Sequence, residues 1–511
     1  MSFEDVSQAL NKIVKLVSEV YRGYHQYAMI ETIFSGLLMG EPVLLIGSHG
    51  SFKTSLASFV GRLFDKPVVA LKEVFQSRGG VERFFEDLGR RLSVDPERLM
   101  RNLVDGANVD YQQSGRSLLV KVEFNAVKHP EAVKLGEARR KPIEVFSMQV
   151  NDQMDPEDIL GYGVDHPAVL GLKPPHAIKR NRFAGADFIC LDEIFGCPRL
   201  ISKFHHALNE KVIDTTVGPI EVRPLGIVLC TNPFTKYYAT QISLANFATL
   251  DRYALSARSL PPSSQEILMM VARRQTEVRK FAPIELIYEG RRLMEEVAVP
   301  EEFTIFCMSL VSHLSRCYFS PSQGRRAEES KDPFETEKDC SLCIYGREYP
   351  CGIANVGKVR TTIRLQQAMK AHALLNMRRE ADESDLVFAL EHVLPHRLSW
   401  NDPEFLSEHG SMFTAAKALV ERYAEIFEGQ YERLREVEGL IKKPDAEKAL
   451  ELKSKYMDAP IVRSMLDEIT DMMKESAKKR GDSATLEVLE PQLPNLRAAI
   501  KTLRGDSAPP A

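Results

Sequence analysis

Apolar residues at helix-like spacings open the chain. Leu10, Ile13, Val17 and Val20, then Ile30, Ile33 and Leu37, predict helices within residues 1–40. The pattern then changes to short unbroken apolar runs: PVLLIG at 42–47, ADFICLDE at 186–193 and LGIVLCTNP at 225–233. Runs of that length ending in glycine or polar residues read as strands buried on both faces, so three of them separated by helical stretches imply a parallel α/β sheet. Helical periodicity returns at 260–316 and 358–398, clearest in EILMMVARR and TTIRLQQAMKAHALL. Beyond Trp400 the chain is helical and charged, and it closes on GDSAPPA.

Composition changes this picture little. The 511 residues are 44% hydrophobic and 27% charged, as in ordinary globular proteins, and exceed what one core usually serves. Lys plus Arg total 67 against 71 Asp plus Glu, which disfavours nucleic acid and anionic membranes as partners. No apolar run reaches about 18 residues, and even IFSGLLMGEPVLLIG is broken by Glu41 and Pro42. The start MSFEDVSQAL carries acids where a leader has cations. Eight cysteines are too sparse for a secreted disulfide scaffold. The expectation is a protein of the reducing cytoplasm, without a membrane span.

Candidate chemistry sits at the ends of the three runs. Gly47, Ser48, His49, Gly50, Ser51, Phe52, Lys53 and Thr54 follow the first run and precede the apolar-periodic SLASFVGRLF. Strand, glycine turn and helix are the context in which a P-loop cradles phosphate on backbone N–H groups. Lys53 is expected on the β/γ oxygens of a nucleoside triphosphate and the Thr54 hydroxyl in the Mg²⁺ shell. Asp192 and Glu193 close the second run; the first is expected to hold the metal and the second to polarise the attacking water, against the blander reading that both cap the next helix. Asn232, closing the third run, supplies a neutral amide beside the γ-phosphate.

Together these stretches resemble the MoxR family of AAA+ ATPases. The resemblance runs through GEPVLLIGSHGSFKT, MQVNDQMDPEDILGYG (148–163), FICLDEIFGCPRLISKFHHALNEKVIDT (188–215), VLCTNP and TLDRYALS (249–256). It ends in GKVRTTIRLQQAMKAHALLNMRREADESDLVFALEHVLPHRL (357–398), similar to the family's lid. It implies an AAA+ P-loop core at 1–258, an all-α lid at 259–400 and a helical C-terminal extension at 401–511. It also implies a homo-hexamer with ATP and Mg²⁺ between subunits, Arg252 as the arginine finger acting in trans, and Arg360 as the lid's sensor-2 arginine. The activity implied is ATP-driven remodelling or maturation of a client protein complex, with a von Willebrand factor A-domain protein as partner. Departures are Phe52, where a small residue is usual before the lysine, and Phe195, where asparagine is common. His205 and His206 read as packing or surface residues.

Two features lie outside the resemblance. An insertion at about 77–147 carries scattered cations (Arg101, Lys121, Lys128, Arg139, Arg140 and Lys141) without aromatic interleaving, and reads as a solvated helical decoration or a client surface. A second insertion, at about 317–352, holds Cys317, Cys340, Cys343 and Cys351 in Pro/Gly/charge-rich sequence. Four thiolates suit a zinc ion or a [4Fe–4S] cluster, and unligated thiols are the remaining reading. Cys190, Cys197, Cys230 and Cys307 sit in apolar surroundings and read as core residues. One pair plus two singles is similar to the iron–sulfur domains of some DNA helicases. The rival function is therefore a DNA- or RNA-linked motor, and a nucleotide-gated module with negligible turnover is a third reading, motivated by Phe52.

Overall fold

The computed structural model describes residues 1–21, 24–114, 117–151, 163–164, 177–178, 185–196, 210–215, 218–233, 247–261, 263–264, 281–315, 349–456 and 459–489. The chain divides into two compact units, one of Met1–Pro300 with Ile363–Arg397, the other of Glu301–Thr362 with Leu398–Ala511. Among the described residues no helix is long and apolar enough to cross a membrane.

In the first unit, helix α1 (Phe3–Val20) starts from a capping box in which Ser2 and Asp5 satisfy each other's backbone N–H groups. Its Val6, Leu10, Val14 and Val17 share one buried stripe. Helix α2 (Tyr24–Met39) leads through Gly40, at φ 68°, into strand β1 (Val43–Gly47), and α3 (Lys53–Gly61) follows the phosphate loop. The central sheet contains β6 (Val145–Gln149), β9 (Phe188–Asp192), β12 (Gly226–Thr231) and β13 (Leu255–Ser259) in the order β13–β1–β12–β9–β6. All four pairings are parallel, with Val43 opposite both Val228 and Leu255, and Cys190 opposite both Val228 and Ser147. Every residue of β1 and β12 is buried, which is why both read as unbroken apolar runs. Parallel strands share a direction, so the polar residues closing β1, β9 and β12 collect at one end of the sheet.

The insertion is a sheet, not a helical decoration. Strands β2 (Phe64–Phe75), β3 (Ala107–Ser114), β4 (Ser117–Asn125) and β5 (Ala138–Pro142) pair antiparallel, β2 with both β4 and β5, and β3 with β4. Helices α4 (Arg78–Leu92) and α5 (Pro96–Met100) accompany it, and Val81, Phe85 and Leu88 of α4 join a core with Val109, Val120, Val122 and Phe124. The period of two in Val120, Val122 and Phe124 against Lys121 and Glu123 decides the matter, because it buries one face and solvates the other.

Short pairs complete the described strand set. They are β7 (Gly163–Val164) with β8 (Ala177–Ile178), β10 (Val212–Thr215) with β11 (Gly218–Glu221), and β14 (Ala282–Pro283) beside β2. The described residues of the second unit are helical apart from the pair β15 (Ala354–Val356) and β16 (Leu398–Trp400). Its helix Glu301–Ser315 carries Phe306 edge-on to Tyr423 and Phe427, and the Tyr423 hydroxyl donates to Ser309 Oγ at 2.8 Å. Helices Met412–Glu428, Tyr431–Lys442, Ala446–Lys455, Pro460–Arg480 and Ser483–Leu489 follow, as the charged apolar-periodic sequence predicts.

Candidate nucleotide-binding site

The phosphate loop needs two left-handed residues to turn from strand to helix, Gly50 at φ 76° and Phe52 at φ 61°. Glycine adopts that conformation freely, whereas phenylalanine does so at a cost, which accounts for the small residue usual before the lysine. Lys53 begins α3 with its side chain folded into the loop. Its Nζ donates to Gly47 O at 2.7 Å, Ser48 O at 2.9 Å and Ser51 Oγ at 3.3 Å. Burial lowers the Lys53 pKa, while Cys230, Asp192 and Glu193 act in the opposite direction. An ammonium held by carbonyl oxygens exchanges them readily for phosphate oxygens, which carry more negative charge.

Thr54 Oγ1 donates to Asp192 Oδ2 at 2.6 Å, joining the first turn of α3 to the end of β9. Glu193 follows at φ 52°, with its N–H donating to Asp192 Oδ1 at 2.9 Å and its carbonyl accepting from Gly196 N–H at 2.6 Å. The left-handed backbone breaks the strand's alternation and re-aims the Glu193 carboxylate. Non-glycine residues held this way cost about 1–3 kcal/mol and cluster at functional sites. His49 of the loop lies between the other two polar strand ends: its Nδ1 is 3.8 Å from Glu193 Oε1, and its Nε2 is 3.4 Å from Asn232 Nδ2. Asn232 itself is buried.

The structure thus brings Gly47 to Thr54, Asp192, Glu193 and Asn232 to one end of the sheet. Phe195 is buried edge-on to Tyr253, with ring centroids 6.4 Å apart, so it serves packing. Arg252 sits in the turn before β13 and is half-buried, and its Nε has no hydrogen-bond partner among the described residues. Arg360 stands exposed in the first turn of helix Lys358–Leu375, in the second unit. Cys351 is half-buried in the short helix Pro350–Ile353. Cys317, Cys340 and Cys343 lie outside the described residues, as do His205, His206 and residues 152–162 of the MQVNDQMDPEDILGYG segment. Among the described residues no three His, Cys, Asp or Glu side chains gather as a metal site. The sequence places His49 in the phosphate loop but not beside Glu193 and Asn232, because nothing in it announces neighbours 144 and 183 residues away.

Comparison with known proteins narrows the class. Residues 347–415 match the family described as AAA lid domain. A solved structure from Cytophaga hutchinsonii ATCC 33406, described as a "putative ATPase", is similar over 82% of this chain and 96% of that one, with a TM-score of 0.50 and 16% identity. No curated protein matches the chain. The parallel sheet flanked by helices, the AAA lid segment and the helical C-terminal region give the chain an AAA+ fold.

Proposed function

We propose that the chain is an ATPase that hydrolyses ATP to ADP and phosphate at the loop Gly47–Thr54. The carrying observation is the 2.6 Å contact between Thr54 Oγ1 and Asp192 Oδ2, with Lys53 in the loop beside them and Glu193 next along the chain. A hydroxyl and a carboxylate oxygen at that spacing form a hard-oxygen donor set, which fits Mg²⁺. When bound, Mg²⁺ neutralises charge on the nucleotide's phosphates. Thr54 and Asp192 would hold it. Lys53 binds the β/γ oxygens, Glu193 accepts a proton from the attacking water, and Asn232 orients that water without adding charge.

The finer reading is a MoxR-type AAA+ chaperone. Chains assemble as a hexameric ring, Arg252 reaches the neighbouring subunit's γ-phosphoryl group, and Arg360 acts from the lid. Hydrolysis drives conformational work on a client protein complex in the cytoplasm, with a von Willebrand factor A-domain protein as partner. The wording of residues 148–163 and 357–398 supports this reading. The spacing of Cys317, Cys340, Cys343 and Cys351 supports a zinc or [4Fe–4S] site and favours the rival, a DNA- or RNA-linked motor. Steep, salt-sensitive stimulation of turnover by DNA marks the rival.

The test is ATP hydrolysis by anaerobically purified protein beside Glu193→Gln, with iron and zinc measured on the same sample. The proposal expects turnover that the substitution lowers at least about 10²-fold while ATP still binds. Equal turnover in both proteins would remove Glu193 from its role. Metal content unchanged in a Cys340→Ser/Cys343→Ser variant would sink the metal site.

A further inference from the structure

A cavity of about 740 Å³ opens at the other end of the central sheet from the phosphate loop. Gly40 and Glu41, just before β1, and Gly226, the first residue of β12, form its floor. Helix α5 and the connections of the insertion, from Ser93 to Asp105 and at Lys128 and His129, supply one wall, and Lys211 and Glu221 at the two ends of the β10–β11 hairpin supply another. Most charges on the inserted-sheet side are spent on each other. Lys128 Nζ donates to both oxygens of Asp105 at 2.9 and 2.8 Å and to Arg223 O at 2.6 Å. The Asp95 carboxylate caps α5 by accepting from Glu97 and Arg98 N–H.

The back wall is not balanced. Arg364 Nη2 lies 3.2 Å from Glu41 Oε1, and Lys211 Nζ lies 3.9 Å from Glu41 Oε2. Arg291 stands beside them, donating from Nε to Leu37 O at 2.8 Å and from Nη2 to Leu225 O at 2.6 Å, with no ion pair among the described residues. Among the described residues, Lys211 and Arg291 of the lining and Arg364 behind it therefore share one carboxylate, Glu41. Burial lowers the Lys211 pKa, and Arg364 and Arg291 push the same way against Glu41. An unbalanced, half-desolvated positive cluster is costly for a purely structural wall, and an anion removes the cost. Tyr288, whose ring lies 5.2 Å from the Arg291 guanidinium carbon, adds an aromatic face, and the volume suits a small organic molecule.

We propose that this cleft is a second anion site, which takes the phosphate group of a small organic ligand against Lys211 and Arg291, remote from the P-loop. The experiment is calorimetric titration of the full chain carrying Lys53→Ala, which disables the loop, with ribose 5-phosphate and with inorganic phosphate at constant ionic strength. The expected result is one ribose 5-phosphate per chain with a Kd below about 1 mM. Lys211→Met should weaken it at least tenfold and leave ATP binding intact when Lys53 is present. Arg223→Gln, an exposed and fold-neutral change in the cleft, should weaken it two- to fivefold. Equal affinity for inorganic phosphate would assign the site to the free ion. No binding of either compound up to about 10 mM, or binding untouched by both cleft substitutions, would overturn the proposal.

Discussion

The carbonyl oxygen of Ser259 lies 2.2 Å from where a Cβ on Gly47 would stand, and the Ser259 Cβ lies 2.7 Å from it. Gly47 is thus required by the approach of β13, not by a left-handed backbone. The same serine donates from Oγ to Ser51 O at 2.8 Å, so β13 clamps the phosphate loop at two points. A methyl at Gly47 meets backbone, which cannot rotate away. Gly47→Ala should therefore destabilise the protein by about 3 kcal/mol or more and weaken ATP binding at least tenfold. Thermal melting and nucleotide titration check it, and an unchanged melting temperature would show that β13 can retreat.

Phe52 carries the opposite lesson. Its φ of 61° and ψ of 12° are left-handed, which costs a non-glycine residue about 1–2 kcal/mol. Phe52→Gly removes that strain, partly offset by greater freedom of the unfolded chain. The expected outcome is a melting temperature equal to or slightly above wild type, with kcat/KM for ATP at least as high. A loss beyond threefold would show that the ring makes contacts the nucleotide needs.

The strand ends were legible because chemistry and burial coincide there. An unbroken apolar run that stops at Asp192-Glu193 or at Asn232 can be read without a structure. The inserted sheet is harder to see, since the alternation of Val120, Val122 and Phe124 with Lys121 and Glu123 is short and set among scattered cations. The role of Ser259 and the contacts of His49 were beyond reach for another reason. Each side chain acts on residues more than 140 positions away, and only the strand order β13–β1–β12–β9 brings them together.

If Arg252 completes a neighbour's site, its loss should be repairable by mixing. Arg252→Ala alone should lower turnover by about 10³-fold or more, and Glu193→Gln alone should be inactive. A mixture of the two places the intact Arg252 of one chain against the intact Glu193 of another, so part of the activity should return. Two dead variants that stay dead together, while still assembling, would count against an arginine acting between subunits. The turn itself should tolerate the change, because Tyr253, Ala254 and Leu255 anchor it in the core.

Two histidines of the first unit give stability opposite dependences on pH. His396 is fully buried, its Nδ1 accepting from Ser256 Oγ at 2.8 Å and its Nε2–H donating to Tyr253 O at 2.9 Å. Burial, reinforced by the Arg397 charge, pushes its pKa down to about 3. The fold thus holds it neutral, and that contribution is present above the ordinary histidine value of about 6.5 and lost as pH falls toward 3. His372 is the reverse case. Burial opposes its charge, but hydrogen bonds to Asp385, at 2.6 Å, and to Glu31 outweigh burial and raise its pKa. Its contribution is complete below about 6.5 and lost as pH rises through the raised value. The melting temperature of the full chain should therefore fall on both sides of a neutral optimum. His396→Gln, whose amide can keep both hydrogen bonds, should flatten the acid limb, and His372→Gln the alkaline limb. Limbs that respond to the wrong substitution, or to neither, would show that other groups govern the profile.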